Sequence, residues 1–218
     1  DLHDKQQQFI GNASHELKTP LTVIESYAKL LNRRGTANQE VTDEALSAII
    51  NESANMKGLI EQMLALAKSA ETVKMNFREI ELSAFLQAIA VNFKTAYHRE
   101  ITVEAPVVPL VIDEAMLKQL LFIFIDNARK YSEDVIELHA SVNQHVHIQI
   151  RDYGIGIPNE DLPHIFNRFY RVNKDRNRKT GGVGIGLSIA TEIANRLHAT
   201  IQVESEVGQG TTIHITLP

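Results

Sequence analysis

The segment "NASHELKTPLT", at residues 12–22, places a histidine beside a glutamate and a proline five residues after that histidine. His15 lies nine residues before Ile24, about 900° of helix at roughly 100° per residue, so it points away from the apolar seam and toward solvent. An exposed, neutral imidazole is a usable nucleophile near pH 7. Glu16 can accept the proton of one ring nitrogen, which leaves the other nitrogen free to react. The seam itself has the 4, 3, 4, 3 spacing of two packed helices and contains Leu17, Leu21, Ile24, Ala28 and Leu31.

Thr19 and Pro20 modify this helix beside the histidine. Pro20 removes a backbone hydrogen bond to residue 16 and should kink or loosen the helix, which makes it a candidate hinge. Thr19 lies one turn from His15 on the same face, where its hydroxyl can orient a water molecule. The alternative is that Thr19 only stabilises the kink.

The sequence "RDYGIGIP" ends a strand with an aspartate and then two glycines, Asp152, Gly154 and Gly156. Glycines let the backbone turn sharply and let a ligand approach closely. An aspartate at such a turn can accept a hydrogen bond from an exocyclic amine, although an ordinary glycine turn would have the same sequence.

The sequence "GGVGIGLSIA" brings Gly181, Gly182, Gly184 and Gly186 to the start of a helix. Free backbone N–H groups at a helix start can bind a phosphate. The spacing fits neither the Walker pattern nor the dinucleotide fingerprint. The loop before it, "NRFYRVNKDRNRKT", is strongly basic, which suits phosphate binding better than either feature alone but is also typical of a solvated loop. Its basic residues are Arg168, Arg171, Lys174, Arg176, Arg178 and Lys179.

The sequence "IDNARKYS" places Asn127 and Lys130 three residues apart on one helix, and therefore on roughly the same face. A carboxamide can bind Mg²⁺ and a lysine can meet phosphate oxygens. By itself, Asn127 is more typical of a hydrogen-bonded core residue.

Composition excludes several classes of protein. The chain has 218 residues, 44% of them apolar, a formal charge of −5 and no cysteine. The net charge argues against general nucleic-acid binding, and the missing cysteines exclude disulfides and thiol chemistry. No apolar run is long enough to span a membrane and no signal peptide is visible. Because the chain begins inside an apparent helix without a methionine, we expect a cytoplasmic piece of a longer protein.

Residues 1–69 show helical periodicity only. A second helix carries its own seam with spacing 3, 4, 3, 4, 3, 4, and Asn38 or Thr42 could cap its start. Two helices with one seam each form a hairpin, and a four-helix bundle from two chains buries both seams well. The alternative is a hairpin packed on the second domain. The second seam contains Leu46, Ile49, Ser53, Met56, Ile60, Met63 and Ala67.

Residues 70–218 mix the two periodicities and predict an α+β sandwich, a mixed sheet with helices on one face. The predicted helices are "LSAFLQAIAVNFKTAY", "DEAMLKQLLFIFIDNARKYS" and "GIGLSIATEIANRLH". The predicted strands are "FREIEL", "ITVEA", "VIELHASV", "HVHIQIRD", "TIQVES" and "TTIHITLP". His139, His145 and His147 lie on neighbouring strands and could bind a metal, but their side of the sheet is predicted to be a solvated polar face.

Five ordered motifs together resemble those of sensor histidine kinases. "FIGNASHELKTPLT" resembles the H box, and "IDNARKYS", "RDYGIGIP", "IFNRFYRV" and "GGVGIGLSI" resemble the N, G1, F and G2 boxes. The resemblance implies a dimerisation and histidine-phosphotransfer domain over residues 1–69, followed by a Bergerat-fold ATP-binding domain over residues 70–218.

The resemblance also implies roles for individual residues. Asp152 would bind the adenine amino group, Tyr131 would line the base pocket and Asn127 would hold Mg²⁺. Lys130, Arg168 and Arg171 would face the phosphates, and a lid would run from about Pro158 to Gly182. Further nucleotide contacts would come from Gly154, Gly156, Gly182, Gly184, Gly186 and Leu187. Two positions depart from the pattern, since Ile123 replaces a common polar residue and Val183 replaces a common Ser or Thr.

The implied activity is ATP-dependent autophosphorylation of His15 by a homodimer, with Glu16 assisting, and transfer to an aspartate of a response regulator. Thr19 would serve a phosphatase activity toward that regulator. The parent protein would be membrane-anchored, with this piece in the cytoplasm and in contact with neither membrane nor nucleic acid. Two alternatives remain open: a Bergerat ATPase of the chaperone or topoisomerase type, and a nucleotide-binding scaffold without transfer, for which Ile123 is the only support. The stimulus, the regulator and transfer within or between subunits stay open.

Overall fold

The structure is a computed structural model that describes residues 17–18, 20–33, 38–69, 75–168, 170–172 and 184–218. The described residues form two compact units, one ending with the helix at Ser69 and the other containing the strands and helices from residue 75 onward. Within these ranges, every helix is too short or too polar to cross a membrane.

The first unit contains two helices. Helix α1 is described at residues 17–18 and 20–33, and helix α2 spans Gln39–Ser69. Asn38 caps α2, because its Oδ1 accepts a hydrogen bond from Val41 N at 3.2 Å. Thr42 lies inside the helix and its hydroxyl donates to the Asn38 carbonyl at 2.8 Å. Of the two predicted caps, Asn38 is therefore the one used.

Among the described side chains of α2, the apolar ones are covered only in part by other described residues. Thr42 and Ala45 are buried, at 8% and 0% exposure. Leu46, Ile50 and Ile60 are 46%, 66% and 44% exposed. At roughly 100° per residue, these exposed side chains lie on the flank of the same apolar arc. Part of the predicted seam is thus available for further packing.

The second unit has a five-stranded sheet and a separate two-stranded ribbon. In chain order the elements are β1 Phe77–Glu81, α3 Leu82–Tyr97, β2 Ile101–Glu104, β3 Pro109–Asp113, α4 Glu114–Tyr131, β4 Ile136–Val142, β5 Val146–Asp152, α5 Gly186–Arg196, β6 Thr200–Glu206 and β7 Gly210–Leu217. The sheet order is β2-β4-β5-β7-β6, with β2 and β4 parallel and the other neighbours antiparallel, and the ribbon pairs β1 with β3 antiparallel.

The core lies between the three helices and one face of the sheet. Alternate residues of β4, β5 and β7 are buried while their neighbours are not, which is the pattern of a sheet covered on one side. The helices contribute buried residues such as Leu86, Phe93, Leu117, Leu121, Phe124 and Ile189. The predicted fold class, helices followed by an α+β sandwich, is confirmed.

Strand β3 was not predicted. Its sequence "PLVID" is short and starts with a proline, and its partner strand β1 lies more than thirty residues earlier, at Phe77↔Asp113. Asp113 also ends the strand as a cap, because its Oδ1 accepts from Met116 N at 3.0 Å and its Oδ2 from Asn76 N at 2.8 Å. The ribbon therefore holds the start of α4 in place.

Candidate functional site

The strand register places Asp152 and the end of α4 at the same end of the sheet, where several strands start or finish. Ile101 of β2 pairs with Ile136 of β4, and Glu137 of β4 pairs with Arg151 of β5. The start of β4 therefore lies beside the end of β5, where Asp152 is found. Helix α4 ends at Tyr131, a few residues before β4 begins, so the end of this helix and Asp152 lie at the same end of the strands.

Asp152 is a buried carboxylate with a fixed orientation. It is 8% exposed, and its Oδ1 accepts hydrogen bonds from Gly154 N at 2.9 Å and Thr211 N at 3.3 Å. Burial raises the pKa of this carboxyl, while the two amide donors and the nearby charge of Arg99 oppose the rise. When ionised, such a group is a strong and directed hydrogen-bond acceptor.

The glycine loop after Asp152 packs backbone against backbone. A Cβ on Gly154 would lie 2.1 Å from the Tyr131 carbonyl oxygen, and Ile155 N donates to that oxygen at 3.2 Å. Gly156 has φ +67°, and a Cβ there would lie 2.0 Å from the Glu206 carbonyl oxygen. Only glycine fits these two positions, so the loop is built into the helix end and the sheet.

The polar side of α4 carries an ion-pair cluster beside Asn127, which is half-buried. Asp126 contacts Lys130 Nζ at 2.7 Å and Arg129 Nη2 at 2.7 Å. Tyr131 is half-buried, and burial raises the pKa of its hydroxyl, with the charge of Arg171 lowering it and that of Asp126 raising it. The charges of Asp126 and Arg171 therefore both reach the helix end.

Helix α5 begins without a side-chain cap among the described residues. Gly184 has φ +72°, and Ile185 at the N-cap is fully buried. The first backbone N–H groups of a helix have no partner within it, so those of Gly186 and Leu187 suit an anion. Ile123 of α4 faces this start, since its Cγ2 lies 3.5 Å from where a Cβ of Gly186 would be.

Arg168 and Tyr170, in the described part of the basic loop, make polar contacts with residues outside that loop. Arg168 Nη2 contacts Glu192 Oε1 of α5 at 2.6 Å. The Tyr170 hydroxyl donates to the Asp161 carboxylate, and its ring centroid lies 5.5 Å from that of His164. In this structure Arg168 is thus engaged with α5 through a carboxylate.

Several predicted site residues lie outside the described residues. They are His15, Glu16, Thr19 and Gly182. The remaining ones occupy the end of α4, the end of β5 and the loop after it, the described part of the basic loop, and the start of α5 with Gly184 just before it.

Two residues that act on Asp152 were not predicted from sequence. Thr211 contributes a backbone N–H from β7, and Arg99 contributes its charge from the segment between α3 and β2. No sequence motif contains either residue, because Thr211 is brought to Asp152 by the pairing of β5 with β7 and Arg99 directly precedes β2, which pairs with β4.

A metal site at His139, His145 and His147 was the less favoured interpretation, and among the described residues no group of three His, Cys, Asp or Glu side chains could hold an ion. His147 instead lies between two polar partners, with Nδ1 at 3.1 Å from Thr216 Oγ1 and Nε2 at 3.2 Å from Asn143 Oδ1.

Comparisons with known proteins agree with this architecture. Residues 5–72 match the family described as His Kinase A (phospho-acceptor) domain. Residues 112–218 match the family described as histidine kinase-, DNA gyrase B-, and HSP90-like ATPase.

Relatives are found in several bacteria. The sensor histidine kinase YkoH of Bacillus subtilis is 47% identical over 214 residues, covering 97% of this chain and 47% of YkoH. The signal transduction histidine-protein kinase ArlS of Staphylococcus haemolyticus is 36% identical over 219 residues, covering 97% of this chain and 48% of ArlS. The chain thus spans about half the length of these relatives.

A solved structure shares the fold. The Acinetobacter baumannii histidine kinase AdeS superposes with a TM-score of 0.71 at 22% identity, covering 93% of this chain and 96% of that one. A phospho-acceptor helical region followed by an ATPase-type sandwich defines a two-component phosphotransfer core. The chain belongs to the sensor histidine kinase family.

Proposed function

We propose that this chain binds ATP with Mg²⁺, phosphorylates His15, and passes the phosphoryl group to an aspartate of a response regulator. The observation that carries the proposal is the buried Asp152 carboxylate, fixed by two backbone amides beside a glycine loop that packs on the end of α4. It occurs in a chain whose first residues match the phospho-acceptor family.

The described residues fit an adenine nucleotide. Asp152 would accept a hydrogen bond from the adenine amino group, and Tyr131 would line the base. Gly154 and Gly156 leave no room for side chains in the base-binding loop, and the amides of Gly186 and Leu187 would bind phosphate oxygens.

The phosphates would meet a set of cations that now have other partners. Lys130 contacts Asp126, and Arg168 contacts Glu192, so each would exchange a carboxylate for phosphate oxygens on binding. Asn127 offers a carboxamide oxygen, a suitable ligand for Mg²⁺. When bound, Mg²⁺ would neutralise phosphate charge. Gly182 and Gly184 would lie in the same phosphate-binding loop, and Arg171 would face the phosphates with Lys130.

The chemical step needs a positioned nucleophile. A ring nitrogen of neutral His15 would form a bond to the γ-phosphorus while the bond to the ADP oxygen breaks. Glu16 would accept a hydrogen bond from the other ring nitrogen and hold the reactive tautomer. The electron pair of the broken bond leaves with ADP.

Labelling with γ-labelled ATP tests this proposal. We expect protein-bound label that is stable to alkali and labile to acid in the natural sequence, and none in His15→Gln, which should still bind nucleotide. Release of free phosphate without protein label would support the chaperone- or topoisomerase-type ATPase. Binding without either product would support a scaffold.

The proposal extends to organisation and partners. The phosphotransfer domain would comprise residues 1–69 and the ATP-binding domain residues 70–218. The first domain would form a homodimeric four-helix bundle, consistent with the partly covered apolar arc of α2. The fragment would act in the cytoplasm as part of a membrane-anchored parent protein and receive a response regulator receiver domain as its partner.

A phosphatase activity toward the regulator is a second part of the proposal, based on the sequence "SHELKTP". The Thr19 hydroxyl, one turn from His15, would hold the water that attacks an aspartyl phosphate. We expect Thr19→Ala to keep autophosphorylation, because alanine favours a helix, and to lose roughly 10²-fold in phosphatase rate.

Decay of purified phospho-regulator in the presence of nucleotide measures the Thr19→Ala effect. An unchanged decay rate would contradict the water-positioning role. A parallel loss of autophosphorylation would show that Thr19 is structural instead.

A further inference from the structure

We propose that Arg99 is a positioning residue for recognition of the adenine base, acting through the end of α4 on the loop that carries Asp152. This inference rests on the proposed nucleotide binding. It concerns a residue outside all five sequence motifs.

Arg99 binds the first two residues after α4. Its Nη2 donates to Ser132 Oγ at 2.7 Å, and its Nη1 donates to the Glu133 carbonyl. Ser132 is buried, and both its N–H and its hydroxyl donate to the Ala128 carbonyl, at 3.0 Å and 2.8 Å. The guanidinium therefore fastens the last turn of α4 and its exit from the helix.

The neighbouring residue holds the base-binding loop. The Tyr131 carbonyl accepts a hydrogen bond from Ile155 N at 3.2 Å, and Gly154 is packed so closely on that oxygen that a Cβ would lie 2.1 Å away. Residues 131–133 thus connect Arg99 on one side to the loop on the other. Since Gly154 N also donates to Asp152 Oδ1 at 2.9 Å, a shift of the helix end would move the carboxylate.

Arg99 also acts on Asp152 electrostatically. Strand pairing places the start of β2, which Arg99 precedes, and the end of β5 on either side of the start of β4. The positive charge of Arg99 lowers the pKa of Asp152 and so opposes the effect of burial, as do the amides of Gly154 and Thr211. Arg99 therefore favours the ionised carboxylate, which is the form that accepts from an amine.

The geometry needs a guanidinium rather than any cation. Two different nitrogens reach two different acceptors, a hydroxyl and a carbonyl, and one ammonium on a flexible stem would hold them less rigidly. Arg99 Nε is buried and has no hydrogen-bond partner among the described residues, so the two terminal nitrogens make the described polar contacts.

Binding of two nucleotides that differ at the exocyclic amine tests the inference. ADP has the amine and IDP has an oxo group in its place. We expect the natural sequence to bind Mg-ADP at least about tenfold more tightly than Mg-IDP, since a site built to bond an amine rejects an analogue without it. We expect Arg99→Gln to bind ADP about tenfold more weakly and IDP within about twofold of the natural sequence, so that discrimination is lost.

Arg99→Lys and Ser132→Ala refine the test. Lysine keeps the charge without the paired geometry and should recover only part of the discrimination. Ser132→Ala removes one of the two acceptors of Arg99 and should reduce the discrimination between ADP and IDP less than Arg99→Gln does. It provides the test if Arg99→Gln does not fold. Arg78→Gln, at an exposed position of β1, is the matched control and should leave both affinities unchanged. Thermal unfolding reports whether each variant is folded.

The outcomes separate the inference from the proposed function. An equal loss of ADP and IDP affinity in Arg99→Gln, or no loss of either, would overturn the positioning role alone. If the natural sequence binds ADP no better than IDP, or not at all, the proposed adenine site fails first and the inference fails with it.

Discussion

At the scale of single residues, Asp152 shows how recognition and stability oppose each other. Asp152 is buried, at 8% exposure of the residue, which costs its carboxylate hydration, and the two described backbone donors both bond to the same oxygen. Burial raises its pKa, so the folded chain favours the protonated form more than the unfolded chain does. Ionised Asp152 therefore weakens the ligand-free fold.

The pH dependence of the free energy of unfolding tests whether ionised Asp152 destabilises the ligand-free fold. The contribution of a carboxyl with a raised pKa is fully present below the pKa of the unfolded chain and is lost as the pH rises through the folded-state pKa. Asp152→Asn keeps an oxygen acceptor without the charge, so we expect it to be more stable at pH 7 by about 1 kcal/mol, or 2–4 °C in unfolding midpoint. It should also lose most affinity for ADP.

Thermal unfolding of both proteins between about pH 4 and pH 7.5 makes the measurement. The gap in midpoint should shrink as the pH falls, since the natural carboxyl then becomes neutral. A gap that does not change with pH would mean that its origin is packing. The exposed Asp134→Asn is the control and should show no such trend.

At the scale of elements, helix α4 carries both the cations proposed for phosphate binding and a carboxylate that competes for them. Asp126 contacts Lys130 and Arg129, and the guanidinium of Arg129 also lies 4.5 Å from the ring centroid of Tyr97 in α3. The side chains of Asp126, Arg129 and Lys130 are 18%, 29% and 22% exposed, so the three charges are partly buried and their attraction is offset by lost hydration. Asp126 also holds the negative charge that the phosphates of a bound nucleotide would meet.

Neutralising Asp126 should strengthen nucleotide binding. Asp126→Asn releases Lys130 and removes a negative charge near the phosphates, so we expect Mg-ADP affinity to rise about three- to tenfold at low salt and the gain to shrink as salt screens it. Calorimetric titration at two ionic strengths measures it, with the exposed Glu104→Gln on β2 as control. Weaker binding would mean that Asp126 holds Lys130 in its binding position instead.

The helix ends could be predicted from the sequence, whereas the contacts between distant elements could not. Helix α3 spans Leu82–Tyr97, and α4 ends at Tyr131, within a residue or two of the ends predicted from periodicity, because local spacing decides which face is buried. The role of Arg99 could not be predicted, because its contact with Ser132 joins residues that are 33 apart in sequence and lie just before β2 and β4, two strands that pair in the fold. The Asp126–Lys130 pair has the local i,i+4 spacing of a helical ion pair, yet the resemblance assigns Lys130 to phosphate instead.

At the scale of the whole molecule, the two units differ in how completely they bury their apolar residues. The second unit has fully buried residues from three helices and the sheet, such as Leu120, Ile125 and Ile136. In the described part of the first unit, Ala45 is buried, whereas Leu21 of α1 is 46% exposed and α2 leaves Leu46, Ile50 and Ile60 open. Among the described residues of this unit, one chain leaves part of the apolar surface exposed, which is the physical reason to expect a dimer.

Charged substitutions on the open part of α2 should separate the dimer without unfolding the second unit. We expect the natural sequence to have the mass of two chains by light scattering at tens of micromolar, and Leu46→Glu combined with Ile60→Glu to have the mass of one, because a buried glutamate at a seam costs several kcal/mol. Asn51→Glu, exposed on the opposite side of α2 from the seam, should remain dimeric. ADP affinity should be unchanged in both variants, since the residues proposed to bind nucleotide belong to the second unit. A natural chain that is monomeric, or a double variant that stays dimeric, would contradict the four-helix bundle, and loss of ADP binding in the double variant would mean that the second unit depends on dimerisation.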